Sequence, residues 1–178
     1  MSRATINGIP RIDLASRPLW KRNLSWWMGG KAFTTAAGAK IWRALVAPIE
    51  APLMTATRGR VRVSFSAPIV VLTTTGARSG ERRDSPLTYF TDGDDVILIA
   101  SNYGRPRHPA WYHNLVAHPE CELHIGDRGG PFVAQEVTGP DRERLLGLAA
   151  DRLNRAFALY PERAGDRTIP VMRLTPSP

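Results

Sequence analysis

From Thr75 to Arg83 the chain reads Thr-Gly-Ala-Arg-Ser-Gly-Glu-Arg-Arg, gathering three guanidinium groups, two hydroxyls and a row of backbone amides into one short stretch. Gly76 and Gly80 allow a tight bend there. Planar guanidinium forks match the paired oxygens of carboxylate and phosphate, so Arg78, Arg82 and Arg83, with Ser79 and Gly80 between them, form a candidate anion grip. The same residues would also suit a solvated basic hairpin that binds nothing, and the turn alone does not separate the two. A second polar opening follows at Ala100-Ser101-Asn102-Tyr103-Gly104. A third segment, Pro109-Ala110-Trp111-Tyr112-His113-Asn114-Leu115, reads as a short helix entered through Pro109.

These segments need strands to hold them. Residues 69–72 and 96–100 are apolar, rich in β-branched side chains and bounded by turn residues, which predicts two buried strands. Residues 83–90 and 96–101 read as a hairpin about Asp92-Gly93-Asp94-Asp95. Residues 121–125 pair naturally with 132–138 through Gly126-Asp127-Arg128-Gly129-Gly130. Alternation of Val61, Val63 and Phe65 predicts a half-buried strand over 60–66. Thr138-Gly139-Pro140-Asp141 opens a helix whose buried stripe would be Leu145, Ala149, Leu153 and Phe157, with Pro161 stopping it after Tyr160. Residues 168–174 would be a last strand. Closely spaced antiparallel strands imply a barrel or a sandwich.

A chain of 178 residues with 43% hydrophobic and 22% charged content suits one domain with one core. No apolar run approaches the roughly 18 to 20 residues of a membrane span, and the start lacks the apolar centre of a signal peptide, so a cytoplasmic protein is expected. Cys121, the single cysteine, cannot form an internal disulfide and alternates with Leu123 and Ile125 as a buried strand residue would. The net charge of +8 is uneven: residues 1–66 hold 11 Lys/Arg against Asp13 and Glu50, and four of the five tryptophans. Residues 1–16 show no periodicity and are expected to be a flexible start. Over 17–28, Trp20, Leu24, Trp27 and Met28 fall on one helical face among Lys21 and Arg22, suggesting an arm for an anionic membrane surface or a polyanion. The alternative is that these tryptophans pack on protein. A second helical pattern over 41–53 is interrupted by Pro48 and Pro52.

Other chemistries lack support. The four histidines do not share the spacing of a helical metal pair, so no metal is expected. Ser101 has no Gly-x-Ser-x-Gly elbow, and neither dinucleotide nor P-loop fingerprints occur. Nucleic-acid binding would rest on charge alone.

Taken in order, the basic turn, Pro86-Leu87, Asp92-Gly93-Asp94, the Ala-Ser strand end and Pro-Ala-Trp-Tyr-x-Asn-Leu resemble the deazaflavin-dependent nitroreductase and quinone reductase family. Thr57-Arg58-Gly59-Arg60 and Asp166-Arg167-Thr168-Ile169-Pro170-Val171 extend the likeness from about Pro52 to Pro176. The resemblance implies an α+β fold, an FMN-binding-like split β-barrel with flanking helices over 57–178, preceded by a basic helical arm over 1–56. It implies coenzyme F420, a deazaflavin with a phosphate and an acidic tail, and hydride transfer from the reduced cofactor to a quinone, nitro compound or conjugated carbonyl. By motif position, Arg78 and Arg83 match the cationic contacts, with Ser79, Gly80 and Arg82 beside them. Ala100, Ser101 and Asn102 match the strand end beneath the ring, and Pro109, Ala110, Trp111 and Asn114 the helix bordering the cofactor. Core packing is the competing role for Trp111. Ser101 and Tyr160 match the acceptor side and are the candidate catalytic residues. Nitroimidazole-activating members carry further aromatics between that tyrosine and Arg-Thr-Ile-Pro, where this chain has only residues 161–166. Two rivals stay open on the same fold: an FMN-dependent reductase and a non-catalytic lipid or cofactor binder at a membrane surface.

Overall fold

The computed structural model describes residues 4–16 and 68–177. Six strands close into an antiparallel barrel: β3 (Ile69–Thr75), β4 (Arg82–Asp92), β5 (Asp95–Ile99), β6 (Glu120–Ile125), β7 (Arg128–Val137) and β8 (Val171–Pro176). Around the barrel the order is β3-β4-β5-β8-β7-β6, with β6 returning to β3. Period-two alternation sends Val96, Leu98 and Ala100 into the barrel and Ile97 and Ile99 outward, so β5 is buried on both faces. That accounts for its unbroken apolar run. The inner core adds Val70, Leu72, Leu123, Phe132, Met172 and Leu174; the outer core joins Phe90, Ile97 and Val171 to the helices. Full enclosure of a leucine such as Leu98 or Leu174 contributes about 2 kcal/mol.

Three α-helices flank the barrel among the described residues: α1 (Ala110–Ala117), α2 (Gly139–Arg152) and α3 (Ala156–Ala164). The single helix expected from Thr138 to Tyr160 is instead two. The chain breaks at Leu153–Arg155, where the amides of Leu153 and Asn154 both reach the carbonyl of Ala149 and Asn154 Oδ1 accepts from the amide of Ala156 at 2.9 Å. Pro161 lies inside α3 and does not end it. Burial of Ala156, Tyr160 and Ala164 at four-residue spacing holds that helix through the bond the proline removes.

Two strand expectations shift as well. The β6–β7 turn is Gly126-Asp127 and not the five residues expected, with Gly126 at φ 63° and Ile125 opposite Arg128. The final ladder begins at Val171 opposite Ile99, because Pro170 has no amide hydrogen to donate; its carbonyl accepts from Ala100 at 2.9 Å.

The largest correction concerns the start of the chain. Residues 4–16 are ordered against the barrel and are not a flexible lead. Thr5–Ile6 (β1) and Ile9–Pro10 (β2) form a hairpin about Asn7-Gly8, both at positive φ (44° and 83°) as a type I′ turn requires. Ile6 and Ile9 enter the inner core and Leu14 the outer one. Asn7 Nδ2 donates to Pro131 O at 2.9 Å, in space that a Cβ at Gly130 would fill. Tyr89, buried in the inner core, donates its hydroxyl to Pro10 O at 3.0 Å. The helices expected over 17–28 and 41–53 and the strand over 60–66 lie outside the described residues.

Candidate active site

The Arg-rich turn joins β3 to β4 and closes on itself through Gly76 N to Glu81 O and Gly80 N to Gly76 O, each 2.8 Å. Its three arginines are not equivalent. Arg82 pairs with Glu122 on β6 at 2.9 Å, and Arg83 with Glu81. Arg78 is exposed and makes no ion pair among the described residues. Glu122 also meets His124 Nε2 at 2.9 Å; the hydrogen bond from Arg82, then that from His124, hold its carboxyl down at about 2.

Asn114 fixes the turn to α1. Its Oδ1 accepts from the amide of Ala77 and its Nδ2 donates to Thr74 Oγ1, both at 3.0 Å, so both polar atoms of this buried amide are engaged. The helix starts after Pro109, whose extended ψ of 152° aims the chain into it. Ala110 is exposed on its first turn, whereas Trp111 is 6% exposed and sits in the inner core.

Beyond β5 the backbone turns sharply. Asn102, Tyr103 and Gly104 all take positive φ (47°, 57° and 74°), a conformation that costs energy for the first two and is held by surrounding contacts. Asn102 Nδ2 donates to Arg107 O at 2.8 Å. Gly104 packs so closely on α3 that a Cβ there would lie 2.8 Å from Arg163 Cβ and 3.2 Å from Tyr160 O. Tyr160 is thus brought against the loop that follows Ser101, with its side chain 5% exposed and edge-on to Phe157.

Arg167, which the sequence shows only as part of a motif, organises this region. Its Nε donates to Arg105 O (2.8 Å), Nη2 to Ser101 O (2.7 Å), and Nη1 to Ala100 O (3.1 Å) and His108 Nδ1 (3.2 Å). One guanidinium therefore ties the strand end, the loop over 101–108 and the lead into α1. Partial burial lowers its pKa. Only spatial placement shows this, because Arg167 lies more than sixty positions from the carbonyls it holds. Cys121 is buried in the inner core, and that burial pushes its thiol up to about 12, consistent with packing and not with a nucleophile.

A model of the F420H(2)-dependent quinone reductase family matches residues 49–176. The chain belongs to that family. It is 37% identical over 123 residues to an F420H(2)-dependent quinone reductase of Mycobacterium tuberculosis (strain H37Rv), covering 67% of this chain and 82% of that one. Among solved structures, an F420-H2 dependent reductase is 38% identical at a TM-score of 0.51, covering 60% of this chain and 93% of that one. A chain described as a domain-swapped dimer is 34% identical at a TM-score of 0.56, covering 76% and 98%. The fold is thus the split β-barrel of F420-dependent reductases, and the protein is an F420H(2)-dependent reductase. The residues present fit that cofactor's charge: an exposed guanidinium at Arg78 with no ion pair among the described residues, two more cations nearby, and a turn braced by Asn114.

Proposed function

We propose that this reductase passes reducing equivalents from F420H(2) to a quinone held over the end of β5. Arg78 takes the anionic tail first, and Arg82 and Arg83 join by exchanging Glu122 and Glu81 for the ligand's carboxylates or phosphate. Ser79 and Gly80 sit beside that tail. Ala100, Ser101 and Asn102 lie beneath the ring, and Pro109, Ala110, Trp111 and Asn114 border it. When bound, the reduced deazaflavin supplies a hydride. The protein's part is to orient the acceptor and stabilise the negative charge that builds on its oxygen. The hydroxyl of Ser101, half-buried and engaged with nothing among the described residues, donates a hydrogen bond there. Tyr160 bounds the acceptor side from α3.

The observation that carries this reading is the pair of braces, Asn114 and Arg167, which lock the anion grip to α1 and the strand end to the loop beside α3. Nitro compounds and conjugated carbonyls are further acceptors of the same polarity, each building charge on oxygen. Fluorescence titration with F420 and with FMN, followed by oxidation of F420H(2) by menadione, tests the proposal. Binding of FMN in preference to F420, or no menadione-dependent oxidation, would contradict it.

A peripheral place at the cytoplasmic membrane face is part of the same proposal, through Trp20, Leu24, Trp27 and Met28 with Lys21 and Arg22. No described helix is long and apolar enough to cross a membrane. Changing Lys21 and Arg22 to Glu should abolish co-sedimentation with anionic liposomes; undiminished binding would remove the arm from membrane contact. Point changes are preferable to deleting residues 1–30, because deletion would also strip Ile6, Ile9 and Leu14 from the cores.

A further inference from the structure

His108 stands between the two segments that frame the proposed ring site. Its Nδ1 lies 3.2 Å from Arg167 Nη1, the nitrogen that also holds Ala100 O at 3.1 Å. A guanidinium only donates, so Nδ1 must accept, and the ring's one proton then resides on Nε2. Nε2 has no partner among the described residues and is not sealed inside the protein. The ring packs in a three-ring cluster, with Tyr112 at 4.8 Å and His113 at 5.8 Å between centroids and those two 5.5 Å from each other. Tyr112 is itself anchored, donating its hydroxyl to Glu136 Oε2 at 2.8 Å.

We infer that His108 acts in the reduction as a neutral hydrogen-bond donor, presenting Nε2–H to the acceptor oxygen on which charge builds, with Arg167 as the residue that fixes its tautomer. This rests on the function proposed above. Addition of a hydride to a quinone delivers two electrons and leaves one negative charge on oxygen. Solvent supplies the proton that completes the hydroquinone, and His108 gives up none, since a neutral imidazole donates a hydrogen bond without releasing its proton. The charged and titratable groups facing it agree with a neutral ring. Burial lowers its pKa first, then the Arg167 charge and His113, against a smaller opposing effect of Glu136; Tyr112 stays neutral, its hydroxyl pushed up to about 12. The sign follows: the arrangement is present above the ordinary histidine pKa and is lost as pH falls through the lowered one, when a proton on Nδ1 would face Arg167.

Histidine-selective NMR on the full chain tests the tautomer without any cofactor. At pH 7 His108 should be neutral with its proton on Nε2, and Arg167→Met should release that preference; a proton on Nδ1, or a cationic ring at pH 7, would overturn the inference. Kinetics test the role. His108→Phe should keep F420 affinity and lose roughly tenfold to a hundredfold in kcat/KM for menadione, while His108→Gln, which retains an N–H donor, recovers part of the loss. Undiminished turnover in His108→Phe would overturn it, as would a loss that His108→Gln fails to recover. Failure of the wild type to bind F420 would instead remove the function proposed above, a result distinguishable because the NMR tautomer would still be read.

Discussion

Two arginine clusters lie at opposite ends of β4, and they are built in opposite ways. At the Asp92 end, Arg144 and Arg173 meet Asp92, Asp95 and Asp141: Arg173 reaches Asp95 at 2.9 Å, Asp141 at 2.8 Å and Asp92 at 3.1 Å, and Arg144 grips Asp92 with both terminal nitrogens. Three carboxylates thus surround two cations, and every cation is engaged. At the Arg82 end the balance is reversed. Arg78 has no ion-pair partner among the described residues, and Glu122 and Glu81 answer Arg82 and Arg83 through single, half-exposed contacts. Arginine density is therefore a poor marker of a binding site. What distinguishes the turn is Arg78, a donor without an ion-pair partner among the described residues, on a backbone that Asn114 braces.

The largest expected effect is on stability and belongs to the closed cluster. Arg173→Met takes from the part-buried Asp92 and Asp95 the cation they share and should lower Tm by roughly 4 to 8 °C, with F420 affinity unchanged. Loss of F420 binding in the folded variant would break the contrast. Next comes Arg78→Ala, expected to weaken F420 binding by roughly tenfold while leaving Tm within about 1 °C. Acid then separates the ends. Hydrogen bonding to Arg144, the largest influence, holds Asp92 below the ordinary carboxylate value of 3.8. Its contribution is therefore present above 3.8 and lost as pH falls through the lowered value. Thermal scans should find stability declining at a higher pH in Arg173→Met than in the wild type; identical acid profiles would contradict this. The smallest effect is expected at Glu122→Gln. Releasing Arg82 adds a second open cation and should tighten F420 binding by about two- to fivefold, and weaker binding would show that Glu122 positions Arg82 for the ligand.

Much of the barrel was legible in the sequence, because β3, β5 and the β4–β5 hairpin follow from β-branched runs and a Gly-containing turn. Asn114 and the turn could be named from order in the chain, although the bond between them could not. The N-terminal hairpin escaped because its strands are two residues each, too short for periodicity, although Ile6-Asn7-Gly8-Ile9 carries the Asn-Gly signal of a type I′ turn. The α2–α3 break escaped because Leu153 and Phe157 continue the apolar spacing past it, and the Asx turn that Asn154 makes to the amide of Ala156 leaves that spacing undisturbed. Arg167 escaped for a different reason. Four acceptors from four residues converge on it only after β5, the loop over 101–108 and the approach to β8 have come together.

The most direct test of the open cluster is the salt dependence of F420 binding, measured by fluorescence titration over a series of KCl concentrations for the wild type, Arg78→Ala and Arg173→Met. If the turn takes the anionic tail, wild type and Arg173→Met should lose affinity with the same steep slope, and Arg78→Ala should start weaker and fall less steeply. Equal slopes in wild type and Arg78→Ala, or a shallow slope confined to Arg173→Met, would place the anion elsewhere and contradict the assignment of the turn.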